Sequence, residues 1–146
     1  MSVVERRTTA TPDAVWAVIA DGWTFASWVV GASRVRAVEA GWPAVGAHVH
    51  HSVGTWPAVL NDDTEVLGCE PGSRIVLLAR TRPVGEAKVD ITLTPDGGGT
   101  VIRMAEDFVT GPALVVPRPA RSAALRARNT ETLHRLALMA ERRQEP

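Results

Sequence analysis

The sequence predicts an α+β domain: a curved antiparallel sheet of six to seven strands closed by one long helix. Three observations predict it. Period-two alternation runs from Ser33 to about Val109, a helical stripe fills the C-terminal segment, and two short helical segments follow the first strand. A curved sheet with a helix across its concave face encloses a cavity rather than a solid core. The pattern therefore predicts a container for a small molecule.

Each element has a local cause. Residues 2–9 read as the opening strand, Val3-Val4 followed by alternating charge and Thr. Thr11-Pro12-Asp13 starts a helix, with a hydroxyl for the N-cap, proline at the first helical position and an acid facing the dipole. Val15, Val18 and Ile19 form its apolar stripe, Trp16 flanks it, and Asp21-Gly22 ends it. A second helix is predicted from near Thr24 to Val30, carrying Phe25, Trp28 and Val29 and stopping at Gly31. Helices this short are unstable alone in water, so the pair must rest on the sheet.

From Ser33 the period drops to two: Arg34 and Arg36 alternate with Val35 and Ala37, and Gly41-Trp42-Pro43 makes a turn. Strands follow over 46–53, 56–68 and 73–81, separated by Gly54 and by Glu70-Pro71-Gly72. Two more, over 86–94 and 100–109, are joined by a glycine-rich hairpin, Pro95-Asp96-Gly97-Gly98-Gly99. Val89, Ile91 and Leu93 mark the buried face of the first; Ile102, Met104 and Phe108 share a face with Glu106 in the second. After Gly111-Pro112, the apolar loop Leu114-Val115-Val116 leads into a last helix from about Ala120 to Arg143, on the order of 35 Å long. Leu125, Thr132, Leu133, Leu136 and Ala140 line one stripe of it, with Asn129 among them. No linker or repeat interrupts the pattern, so 1–146 reads as one domain.

Sixteen basic and sixteen acidic side chains cancel to a net charge of zero. A nucleic-acid binder carries a basic excess, so that partner class is not predicted. No apolar run reaches transmembrane length, so stable membrane insertion is not predicted either, and the start lacks a signal-peptide pattern. The one cysteine, Cys69, cannot form an internal disulfide and has nothing beside it to activate the thiol, which fits a cytoplasmic location. Five Trp and no Tyr make indoles the main aromatic surface, each needing a partner for one N–H when buried.

Several stretches carry a resemblance. They are Thr11-Pro12-Asp13-Ala14-Val15-Trp16, the Trp28 helix, Val45-Gly46-Ala47, the passage from Val66 to Ile75 through Gly68-Cys69-Glu70-Pro71-Gly72, and Gly97-Gly98-Gly99-Thr100. In these the chain resembles the START-like helix-grip superfamily (SRPBCC), in its bacterial polyketide cyclase/dehydrase and lipid-transport branch. The resemblance spans essentially the whole chain. It implies the helix-grip fold and a hydrophobic ligand cavity. Its motifs are structural and supply no catalytic motif to carry over, and the superfamily holds both enzymes and carriers.

The candidate residues follow from face and polarity. Glu106 shares an apolar strand face. Left unpaired in the cavity, desolvation would raise its pKa and suit it to general acid or base work; alternatively its tip reaches water or meets an Arg of the last helix. His51 points inward with Val49 and Val53, as a wall residue or a base, whereas His48 and His50 share the opposite face. The pair could hold a metal only with a third ligand from a neighbouring strand, and solvated surface histidines are the simpler reading. Asn61-Asp62-Asp63-Thr64-Glu65 reads as a wet or edge strand, and Asp107 and Arg103 as surface charge. Trp28 and Trp56 are the indoles favoured for the cavity wall, with Ile91, Met104, Phe108 and Leu133 as its apolar lining. Asn129 would be costly to bury without a partner, so it meets the sheet backbone or orients a ligand. The arginines of the last helix, Arg118, Arg121, Arg126, Arg128, Arg135, Arg142 and Arg143, read mainly as a solvated face. No phosphate loop, zinc pattern or nucleophile elbow is present, so no cofactor or metal is predicted.

Two functions remain open. One is a non-catalytic module binding a small apolar or aromatic molecule. The other is a cyclase/aromatase or dehydratase-type enzyme, in which Glu106 and His51 move protons while Trp56 and Asn129 orient the substrate. A homodimer, through the sheet edge or the basic helix, is open as well. The segments 23–30 and 114–116 are predicted to meet over one cavity mouth and to form its door.

Overall fold

A computed structural model describes residues 1–54, 57–81 and 83–144. Seven strands form one antiparallel sheet: β1 (Ser2–Thr8), β2 (Ala32–Val38), β3 (His48–Val53), β4 (Leu60–Glu70), β5 (Arg74–Thr81), β6 (Gly85–Asp96) and β7 (Gly99–Thr110). The sheet order is β1-β7-β6-β5-β4-β3-β2, a meander from β2 to β7 with β1 returned beside β7. Helices α1 (Pro12–Ala20) and α2 (Phe25–Trp28) follow β1, and α3 (Arg118–Gln144) closes the chain. This is the α+β helix-grip fold the sequence predicts. Among the described residues no helix is long and apolar enough to cross a membrane.

Local chemistry sets the boundaries. Thr11 Oγ1 accepts from the Ala14 N–H at 3.2 Å, the N-cap that starts α1. Gly97 and Gly98 take φ of 54° and 90°, the positive values a two-residue hairpin turn needs, so β6 and β7 are joined by two residues rather than the predicted five. The second helix is shorter than expected. A 3₁₀ turn over Gly22–Thr24 leads into α2, which stops at Trp28 because Val29 is already extended (φ −81°, ψ 112°). β4 starts at Leu60 rather than at 56; Pro57 has no N–H to give a ladder.

Register irregularities between β2 and β3, β4 and β5, and β6 and β7 bend the sheet around α3. Both ends of α3 are tied down. Arg121 pairs with Asp107 at 2.8 Å near its start. Near its end, Thr8 Oγ1 donates to Glu141 at 2.6 Å, and Gln144 Oε1 accepts from the Thr11 N–H at 2.6 Å. Between these ties Leu133, Leu136, Ala137 and Ala140 join Val15, Val18 and Ile19 of α1 in a solid core. The cavity lies toward the other end of the helix.

Candidate functional site

The cavity sits between α2, the concave sheet and the first half of α3. Phe25 and Trp28 come from α2, His51 from β3, Thr64 from β4, Leu77 from β5, Val89 and Ile91 from β6, Met104, Glu106 and Phe108 from β7, and Arg128, Asn129 and Thr132 from α3. Its volume is about 70 Å³. That is roughly half the ~150 Å³ of an apolar cavity known to accept benzene. The opening lies where Gly31 is exposed and Val30, Val53, Thr81, Phe108 and Arg128 are half-buried.

Strand periodicity aims Glu106 inward with Ile102 and Met104, and only 1% of it is exposed. It is not a free acid. Arg128 Nη2 lies 2.6 Å from both carboxylate oxygens, and Asn129 Nδ2 donates to Oε1 at 2.8 Å. Consecutive residues of α3 thus meet one carboxylate, the charged one from the water side (33% exposed) and the amide from inside. Of the two readings the sequence left open, Glu106 takes the one that meets an Arg of the last helix, while still lining the cavity. Asn129 meets this side chain rather than the sheet backbone.

His51 is buried and shares a 2.9 Å hydrogen bond between its Nε2 and Thr64 Oγ1. Its ring stacks on Phe25 with centroids 5.2 Å apart, and Phe25 meets Trp28 edge-on at 5.7 Å. Burial holds the imidazole below its ordinary value of 6.5, against the pull of the Asp62 and Asp63 carboxylates, so the ring is uncharged near neutral pH. Three buried polar atoms on wall residues have no hydrogen-bond partner: Trp28 Nε1, His51 Nδ1 and Asn129 Oδ1. Native interiors leave few such atoms.

The placements can be set against the sequence reading. Trp28, His51, Ile91, Met104, Glu106, Phe108 and Asn129 share the one cavity. Leu133 does not line it. One helical turn beyond Asn129, it is in the solid core at 1% exposure, where α1 already packs on α3 and leaves no space. Trp56 lies outside the described residues. The stretch 61–65 is not a wet or edge strand: β4 lies between β3 and β5, Asp62 and Thr64 are buried inward, and Asp63 and Glu65 face out. Arg128 is a wall residue, not part of a solvated face.

Phe25, Thr64, Arg128 and Thr132 were not among the predicted site residues. Thr64 carried a signal, since it shares strand parity with Val66. So did Phe25, three residues before Trp28 on a helix. The loop Leu114-Val115-Val116 is also misplaced by the door prediction. It is exposed by 45%, 86% and 43%, lines no part of the cavity, and is held through the Ala113 N–H to the Val84 carbonyl at the β5–β6 turn. On the outer face His48 meets Glu39 at 3.1 Å and His50 meets it at 3.6 Å. Among the described residues no group of three or more His, Cys, Asp or Glu is arranged to hold a metal ion. Burial pushes the Cys69 thiol up, so it is not an activated nucleophile.

Comparison with known proteins fits this architecture. A family model described as polyketide cyclase / dehydrase and lipid transport matches residues 2–141. The chain belongs to that family. Among solved structures, the chain superimposes on a Rhodobacter sphaeroides protein with TM-score 0.74 at 23% identity, over 98% of this chain and 93% of that one. The di-domain ARO/CYC StfQ from the steffimycin biosynthetic pathway gives TM-score 0.73 at 15% identity, over 97% of this chain and 50% of that one. DynU16, a protein of the dynemicin biosynthetic locus, gives 0.68 at 25%, over 96% and 46%. The chain therefore spans about half the length of the last two. No curated protein sequence matches it significantly.

Proposed function

We propose that this family member binds a small apolar or aromatic molecule in the cavity and holds it without transforming it. One observation carries the reading: the acid in an otherwise apolar wall, Glu106, is already matched by Arg128 and Asn129. A wall of Ile91, Met104, Phe108 and Trp28 around a neutralised pair suits retention of a hydrophobic body. The cavity opens beside Gly31, but at about 70 Å³ it is smaller than the space a ring fills, so loading requires movement of its thinnest wall, α2 and the turn that follows it. The half-buried rim residue Ala79 provides the test. Small molecules extracted from freshly purified protein should include a species absent from an Ala79→Phe variant of equal stability. Identical extracts would count against the reading.

A second reading is a cyclase- or dehydratase-type reaction. His51 favours it, as an uncharged imidazole in the same cavity as Glu106 and with Nδ1 unpartnered. The steffimycin biosynthetic pathway of StfQ and the dynemicin biosynthetic locus of DynU16 add context. On this reading His51→Phe retains binding and loses turnover.

A further inference from the structure

The surroundings of His51, which is 3% exposed, suit a neutral ring and not a charged one. Nε2 shares its hydrogen bond with Thr64 Oγ1, Nδ1 is buried with no partner, and the ring is stacked on Phe25. An imidazolium carries two N–H donors whichever tautomer it forms from, and Thr64 Oγ1 takes one of them. The two rings lie 21° from parallel, so the N–H groups do not point at the Phe25 face. Burial opposes a positive ring most; Asp62 and Asp63 on β4 favour one, while Arg36 on β2 and His50 beside it on β3 oppose it. Across the cavity Glu106 is already engaged by Arg128 and Asn129. Helix α2, Phe25-Ala26-Ser27-Trp28, brings no ionisable side chain.

We propose that α2 is an acid-opened cover: when His51 takes up a proton from solvent, its stack with Phe25 breaks and α2, with the turn after it, lifts from the cavity. The two sides of the stack differ in what holds them. His51 sits in β3, which is paired with β2 on one side and β4 on the other. Phe25 sits in a four-residue helix without a side-chain cap, tied on by the 3.2 Å bond from the Val30 N–H to Thr132 Oγ1. Water therefore reaches the cation by displacing α2 rather than β3. In the closed form burial holds the ring below its ordinary value of 6.5; in the open form it is wet and regains that value. Closure is then fully stable above about pH 6.5 and weakens as pH falls below it. Only the purpose rests on the binding reading, since opening lets a guest in or out; the opening itself does not.

Amide exchange of the intact chain at about pH 7.5 and about pH 5 decides the matter, with rates converted to protection factors to remove the intrinsic pH dependence. Residues 25–32 should be less protected than the β6–β7 hairpin at both, the mark of a local opening. Their protection should fall on acidification toward about 30-fold, the ratio set by a pH that lies about 1.5 below 6.5. His51→Gln and His51→Phe take up no proton there, and each should remove most of that fall. If 25–32 exchange only as slowly as the hairpin, α2 does not open by itself. If they open with no pH dependence, or the fall persists in both variants, His51 is not the trigger. Each of these results overturns the inference and leaves the binding reading standing, because that reading is tested separately by the Ala79→Phe extraction.

Discussion

Glu106 and Arg128 differ in how far each can retreat. Arg128 is one-third exposed and, without its partner, can turn its guanidinium to water. Glu106 is sealed and cannot. Arg128→Met should therefore destabilise more than Glu106→Gln, by about 3 kcal/mol in urea unfolding, because it strands a buried carboxylate. Adding Glu106→Gln to Arg128→Met should restore part of the loss. Equal costs for the two single variants, with no recovery in the double, would show that the pair does not work this way. His51 predicts the pH response. Folding holds it below its ordinary value of 6.5, chiefly by burial, so below about pH 6.5 the unfolded chain binds a proton that the folded chain refuses. Stability is then full above that pH and falls as pH drops. Glu39, Asp90 and Asp107 are held below their ordinary 4.5, 3.8 and 3.8 by hydrogen bonds from His48, Arg74 and Arg121, and contribute a separate loss at lower pH. His51→Gln should flatten thermal stability between about pH 6.5 and 5 and leave the lower limb. An unchanged upper limb would contradict it. At this scale sequence reading reached orientation but not pairing. Strand parity aimed Glu106 and His51 inward, yet nothing in the order of residues placed Arg128 against Glu106, a contact made across 22 positions.

Among the elements, α2 is the weakest wall. It has four residues and no side-chain cap. Its exit is held by the Val30 N–H donating to Thr132 Oγ1 at 3.2 Å on α3. A single helical turn has little stability of its own, so this tie and the packing of Phe25 and Trp28 keep it down. Thr132→Val keeps the shape and removes the acceptor. Amide exchange across 25–32 should then quicken severalfold, while the β6–β7 hairpin stays protected; equal protection before and after would place the opening elsewhere. The strands and α3 were legible because periods of two and 3.6 persist over many residues and average out local exceptions. The end of α2 was not. Its short apolar run gives no period to read, and the switch of Val29 to extended backbone is imposed by the sheet it enters. The loop 114–116 misled for a related reason. Apolar composition suggested a cover for the cavity, whereas the Ala113 N–H is tied to the Val84 carbonyl at the β5–β6 turn and the loop lines no part of the cavity.

For the whole molecule, order of elements settled the architecture: a strand, two short helices, a meander and a long helix can bury their faces together only as a grip. Cavity volume was not legible, because it depends on how deeply Trp28, Phe25 and Arg128 fill the space between the sheet and α3. At about 70 Å³ the cavity is smaller than a ring-sized guest needs, so such a guest must displace α2. The most direct test of that claim is a nitrogen–proton NMR titration of the intact chain with resorcinol, following the side-chain signals of Trp28 Nε1 and Asn129 Nδ2 together with the backbone. Saturable shifts are expected at both side chains and across 25–32, with the Gly97-Gly98 hairpin turn unmoved. Saturable shifts confined to the outer surface, or none at all, would contradict it.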